Sequence, residues 1–240
     1  EKHLYALLEM AKKVGVNEVY VHVITDGRDV KPMSAIANIR KLQKVMKQIG
    51  VGKIATICGR YYAMDRDHRW ERTSAAYRAI VEGRGELATD PEKVIEDGYI
   101  LGITDEFIRP TIIDRNGLIA DGDAAIFFNF RSDRPRQLVR SLIDEKFTSF
   151  KRDKVLTKLN LVTLTEYEKS LPVSGIAFPF KKLSNTLSDI VAENALSQFH
   201  TAETEKYAHV TYFFEGGDEF KEKGEDRLLV PSPKVATYDE

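Results

Sequence analysis

The sequence holds a single cysteine, Cys58, which excludes a disulfide framework and a cysteine-based zinc site. It has no surplus of charge of either sign: 36 lysines and arginines face 37 acids, for a formal net charge of −1. A general nucleic-acid binder needs a basic excess, so that class is disfavoured. No apolar run approaches the ~20 residues of a membrane-spanning helix, and no signal peptide is expected. There is no glycine-rich phosphate loop, no serine in a nucleophile elbow, and no His-x-x-x-His pair or carboxylate cluster of metal-ligand spacing. The chain thus offers no obvious nucleophile or metal centre. Any anion site must be built from local arginines, because there is no global positive field to draw on. A reducing cytoplasm fits the cysteine usage.

What is present suits a globular α/β protein. The 240 residues are 42% hydrophobic, enough for a sizeable core, and 30% charged. Apolar stripes and turn residues predict helices over 4–14, 33–48, 71–82, 135–144 and 186–198, with a shorter helical signal from Pro91 to Glu96. β-Branched and aromatic runs predict strands over 18–25, 53–58, 124–130, 157–164 and 207–214, with extended pieces around Phe107 and Ile112–Ile113. Residues 216–223 read as a charged loop and 228–238 as extended. Strands alternating with helices give an α/β fold: a largely parallel or mixed sheet flanked by helices, with antiparallel strands possible in the aromatic C-terminal third. The helical stripe of Leu4, Leu7, Leu8, Ala11 and Val14 begins almost at residue 1 without an N-cap residue, and the chain stops in an extended run. Both ends are expected to be cuts from a longer polypeptide.

The run Val19-Tyr20-Val21-His22-Val23-Ile24-Thr25 breaks into Asp26-Gly27-Arg28-Asp29. The ligand-binding edge of an α/β sheet is where its strands end. Gly27 permits a tight turn there, Arg28 supplies a planar five-donor fork, and Asp29 supplies an acceptor. A local Arg28–Asp29 ion pair closing the turn is the plainer alternative. The same layout recurs at Gly59-Arg60, with Arg66 close behind, and at Arg131-Ser132-Asp133-Arg134. Arginine at three strand ends, each time near an aspartate, points to a convergent anion pocket. The alternative is that these arginines are ion-pair partners for surface carboxylates. Asp133 is expected to cap the helix that follows, with Pro135 in its first turn. Lys206, among Glu203 and Glu205, reads by itself as a solvated salt-bridge residue. His22 and His209 lie in strand-like runs and read as packing residues. His68, in the charged Asp65–Arg69 segment, reads equally as a ligand contact or a surface residue, and His3 as surface.

Four segments resemble the 2,3-bisphosphoglycerate-independent phosphoglycerate mutase family. They are His22-Val-Ile-Thr-Asp-Gly-Arg-Asp29, Ile57-Cys-Gly-Arg-Tyr-Tyr-Ala-Met-Asp-Arg-Asp-His-Arg-Trp-Glu-Arg72, Phe128-Asn-Phe-Arg-Ser-Asp-Arg134 and Ala202-Glu-Thr-Glu-Lys-Tyr-Ala-His-Val210. Gly102–Ile108 and Pro231–Tyr238 add to the likeness, which runs in order along the chain. The resemblance implies a glycolytic isomerase that interconverts 3-phosphoglycerate and 2-phosphoglycerate through a phosphoserine. It implies that residues 1–240 are the inserted phosphotransferase, or substrate-binding, domain as a single body. The serine and two divalent metals, commonly manganese, then belong to a phosphatase-like domain absent from this chain, which would be inactive alone. Carried onto this sequence, the substrate contacts are Arg28, Asp29, Arg60, Arg66, Arg131, Arg134 and Lys206. Arg131, Arg134 and Lys206 become stabilisers of the transferring phosphoryl group. The implied partners are the two phosphoglycerates and the chain's own phosphatase-like domain, in a cytoplasmic monomer without nucleic acid or membrane. Ser132 departs from the small apolar residue expected there. A non-catalytic sugar-phosphate or anion-binding module remains the alternative.

Overall fold

A computed structural model describes residues 2–179, 181, 183–217, 220–233 and 235. The chain divides into two compact units, Glu1–Ala177 and Phe178–Glu240.

In the first unit, α1 (Lys2–Lys13) leads to β1 (Tyr20–Thr25), α2 (Ala35–Ile49), β2 (Lys53–Gly59), the single turn α3 (Arg60–Ala63) and α4 (Trp70–Tyr77). The predicted helix over 71–82 changes gauge at Arg78, where α4 runs on as a π-helical turn to Glu82 before Gly83 stops it. Next come β3 (Glu86–Leu87), α5 (Pro91–Ile100), β4 (Thr111–Ile112), β5 (Ala124–Phe127), α6 (Arg136–Ile143), β6 (Asn160–Thr165) and β7 (Gly175–Phe178). The segment expected to be extended around Phe107 is instead a 3-10 turn, Asp105–Phe107.

One sheet has the order β1-β2-β4-β3; β1 and β2 are parallel, and β4 is antiparallel to β2. A second has the order β5-β6-β7, with β5 parallel to β6. The α/β class holds, in its mixed form. β2 is buried on both faces, which is why it reads as a continuous apolar run rather than an alternating one. Ile54 and Ile57 pack with Leu8, Ile39, Leu42, Met46 and Ile95 from α1, α2 and α5. Cys58 faces the other way, into Tyr77, Ile80, Leu138, Val139, Leu142 and Leu161. β5 is not the buried strand expected over 124–130. It ends at Phe127, sits at a sheet edge, and alternates exposed with half-buried positions.

The carboxylate of Asp105 fixes the entry to α2. Its Oδ2 accepts from the backbone N–H groups of Ser34 (2.8 Å) and Ala35 (2.9 Å), and its Oδ1 accepts from the Tyr99 hydroxyl (2.5 Å). The helix is capped from a distant turn rather than by the Ser34 side chain.

The second unit holds α7 (Leu187–Glu193), β8 (Gln198–Glu203), α8 (Thr204–Val210) and β9 (Glu225–Val230). Three expectations are corrected here. The helix over 186–198 ends at Glu193, and Ala195 takes a left-handed conformation at φ 54°. The strand over 207–214 is absent: residues 198–203 form the strand, and 204–210 coil into α8. The C-terminal strands are parallel, not antiparallel, with Gln198 opposite Glu225 and Glu203 opposite Val230. Of the extended run expected over 228–238, residues 228–230 are strand in β9, while 234 and 236–238 lie outside the described residues, as do 218 and 219 of the loop over 216–223.

Candidate functional site

Strand register does the first positioning. Ile24 lies beside Cys58 and Thr25 beside Gly59, so β1 and β2 finish level with each other. The residues just past those ends therefore meet. Arg60 Nη1 donates to Asp26 Oδ1 at 2.5 Å and to Asp29 Oδ2 at 2.9 Å. Asp26 also closes its own turn, accepting from the backbone N–H groups of Arg28 (3.2 Å) and Asp29 (3.1 Å). Arg28 does not pair with Asp29. It reaches Glu106 at 3.7 Å, while Asp29 belongs to Arg60.

The strand–glycine–arginine layout has a steric cause. The Asp105–Phe107 turn lies against both strand ends, and Thr25 Oγ1 donates to the Asp105 carbonyl at 2.6 Å. A Cβ on Gly59 would stand 2.1 Å from the Glu106 carbonyl oxygen. One on Gly27, at φ +71°, would stand 2.8 Å from the Glu106 nitrogen. Glycine lets the third segment come this close.

The other arginines gather on Asp133. Arg66 forms a short hydrogen bond to its Oδ2, and Arg131 Nε lies 3.1 Å from its Oδ1. Arg134 Nη1 donates to the Met64 carbonyl at 3.1 Å. Asp133 thus serves as a buried counter-ion. The expectation that it caps α6 is corrected: that helix begins at Arg136, and Pro135 precedes it without a side-chain cap. The loop carrying Arg131 is pinned from β6 and beyond. The Tyr167 hydroxyl donates to the carbonyls of Phe127 (2.9 Å) and Asn129 (2.6 Å), and Thr165 Oγ1 donates to that of Phe130 (3.0 Å). Gln137 ties the Asp65–Arg69 segment to α6, donating to Asp65 Oδ2 (2.8 Å) and accepting from the His68 N–H (2.9 Å).

Electrostatics show that the two groups share one neighbourhood. The Asp29 carboxyl is held below its ordinary range chiefly by its hydrogen bond from Arg60, and the fields of Arg134 and Arg131 add to this. Burial alone would raise Asp133, but Arg66 and Arg131 outweigh it and lower that carboxyl too. Five arginines face four carboxylates here, Asp26, Asp29, Glu106 and Asp133. Interleaving removes most of the mutual repulsion of the guanidinium groups and leaves a surplus positive charge. Exposure divides their roles. The side chains of Arg60 and Arg66 are 5% and 9% exposed, whereas those of Arg28, Arg131 and Asp29 are 33%, 45% and 67% exposed. The buried arginines set the frame, and the exposed groups face solvent.

Of the residues singled out from sequence, Arg28, Asp29, Arg60, Arg66, Arg131 and Arg134 all lie in the first unit around this cluster. Lys206 lies in the second unit, exposed on α8. Ser132 is buried beside Asp133. Sequence reasoning missed Asp26 and Asp133 as the anchors, and Asp105, Gln137 and Tyr167 as supports. A recurring aspartate near each arginine was the one signal for the anchors.

Fold and strand-end chemistry together define an α/β protein with an arginine–aspartate cluster at the carboxyl ends of its parallel strands. Residues 1–169 match the family model described as the BPG-independent PGAM N-terminus. The chain therefore belongs to the 2,3-bisphosphoglycerate-independent phosphoglycerate mutase family. It is 50% identical over 242 residues to the mutase of that name from Moorella thermoacetica, covering 99% of this chain and 47% of the relative. The corresponding protein of Clostridium beijerinckii is 52% identical over the same span, with the same shares covered. A crystal structure of Leishmania mexicana phosphoglycerate mutase at low cobalt concentration superimposes with a TM-score of 0.88 at 31% identity, over 98% of this chain and 45% of that one. The chain spans about half the length of the relatives it matches.

Proposed function

We propose that this chain is the phosphotransferase, or substrate-binding, domain of a phosphoglycerate mutase that interconverts 3-phosphoglycerate and 2-phosphoglycerate. The observation that carries the reading is the arginine cluster at the level ends of β1 and β2, completed by the Arg131–Arg134 loop. Phosphoglycerate presents a carboxylate, a phosphate and a hydroxyl. Arg28 and Arg131 offer bidentate forks to its anionic groups, and Asp29 offers an acceptor to its hydroxyl. Arg60 and Arg66 keep these groups in place through Asp26, Asp29 and Asp133. Holding the glycerate while its phosphoryl group leaves and returns on the other oxygen converts the transfer into an intramolecular one. Arg131, Arg134 and Lys206 act on the charge of the moving phosphoryl group.

On this reading the serine that carries the phosphoryl group, and two divalent metals such as manganese, reside in a phosphatase-like domain outside this chain. That domain is its principal partner. The working protein is a cytoplasmic monomer; among the described residues no helix is long and apolar enough to cross a membrane. Mixing the chain with the separately produced remainder of a relative such as the Moorella enzyme should restore turnover of 3-phosphoglycerate. Phosphoglycerate binding with no turnover in any such mixture would instead support a non-catalytic anion-binding module.

A further inference from the structure

In the second unit, β8 and β9 bring one face of each strand to a cluster that the proposed function does not use. Residues two apart on a strand share a face. Gln198 and His200 on β8 therefore join Glu225 and Arg227 on β9, in a register that sets His200 opposite Arg227. Glu215, from the turns that follow α8, closes the group. His200, Glu215 and Glu225 are 8%, 7% and 3% exposed. His200 Nδ1 lies 3.7 Å from Glu215 Oε1 and 3.5 Å from Glu225 Oε1. Among the described residues, neither His200 Nδ1 nor Glu215 Oε1 has a hydrogen-bond partner.

We propose that His200, Glu215 and Glu225 form a binding site for one divalent transition-metal ion of the zinc class. The distances favour it. Metal–ligand bonds of about 2.0–2.2 Å at a tetrahedral angle set donor atoms roughly 3.4 Å apart. The separations here are too long for hydrogen bonds but close to that edge, and the three donor atoms all lie within 4.8 Å of one another. The supporting shell is also in place. His200 Nε2 lies 3.2 Å from the Gln198 side-chain oxygen, and with Nε2 donating there Nδ1 is the nitrogen that faces the carboxylates. The edge of the Phe214 ring system packs against the imidazole, with centroids 5.3 Å apart. Arg227 Nη2 holds Glu215 by its other oxygen, Oε2, at 2.6 Å; Arg227 Nε binds Glu225 Oε1, and the Glu222 N–H donates to Glu225 Oε2 at 2.9 Å. One guanidinium against two carboxylates leaves one carboxylate charge beside the imidazole. That arrangement calls for a cation.

Zinc titration of the 240-residue chain by calorimetry, with cobalt absorption as a geometric probe, tests the site. One zinc per chain should bind, and cobalt should give the intense visible bands of tetrahedral coordination. Affinity should fall by about tenfold or more in both His200→Gln and Glu215→Gln. Glu215→Gln keeps the side-chain shape and serves should His200→Gln not fold. Absence of a tetrahedral cobalt spectrum, or zinc affinity unchanged in the folded variants, would overturn the site and leave an ion-pair network in its place.

Discussion

At the scale of single residues, burial decides what each charged group can do. His22 on β1 is the clearest case in the first unit. Its Nδ1 lies 2.9 Å from Thr56 Oγ1, and burial drives its pKa from 6.5 down to about 4, against smaller raising effects from Asp123 and the Gly117 backbone. A histidine that is neutral when folded but titrates near 6.5 when unfolded contributes its stability above pH 6.5. That contribution is lost as the pH falls from 6.5 toward 4, and its total is about 3 kcal/mol. Urea unfolding at pH 7 and pH 4.5 should therefore show a smaller acid loss in His22→Gln than in the parent. An equal loss in both would mean His22 titrates normally. The arginines follow the same logic in reverse. Arg66 and Asp133 are both buried, and neither is stable without the other, so this pair is structural support. Arg28 and Arg131 keep enough exposure to meet a ligand.

At the scale of elements, the outcome depends on whether a segment's character is set locally or by its neighbours. The helices α1, α2, α5 and α6 and the strands β1, β2 and β6 were legible, because apolar periodicity and glycine stops agree with the final packing. The arginines at the strand ends were legible for the same reason. What was not legible depends on distant partners. Residues 207–214 carry aromatic and β-branched side chains and read as a strand, yet the chain has already spent its pairing with β9 on residues 198–203. Residues 207–210 finish α8 and the next four are turns: Thr211 Oγ1 donates to the Tyr207 carbonyl at 2.8 Å and the His209 and Phe213 rings meet at 5.4 Å, both i,i+4 relations across the end of the helix. Asp133 looked like a cap because aspartate favours the N-cap and Pro135 suits a first turn; two arginines claimed it instead. Nothing in the local sequence shows that Asp105 caps α2, or that His200, Glu215 and Glu225 meet. The Gly59 contact gives a sharp test at this scale. Its φ is −71°, so alanine meets no backbone strain, only the Glu106 carbonyl and the Ile108 nitrogen. Gly59→Ala should lower unfolding free energy by about 1–3 kcal/mol in denaturant titration, an overpacking cost. A change under a few tenths would mean the Asp105–Phe107 turn yields freely.

At the scale of the whole molecule, a near-neutral chain builds a cationic site by concentrating arginine where parallel strands end, and stabilises that concentration with aspartates from the same turns. The composition excluded a broad basic surface but carried no information on where the arginines would converge; strand register supplied that. Calorimetric titration of the chain with 3-phosphoglycerate tests this central claim most directly. The account predicts binding at millimolar concentration or tighter, weakened about tenfold or more in both Arg28→Ala and Arg131→Ala, since a charged hydrogen bond contributes roughly 1.5–3 kcal/mol. Absence of binding by the parent chain, or binding that survives both substitutions, would contradict it.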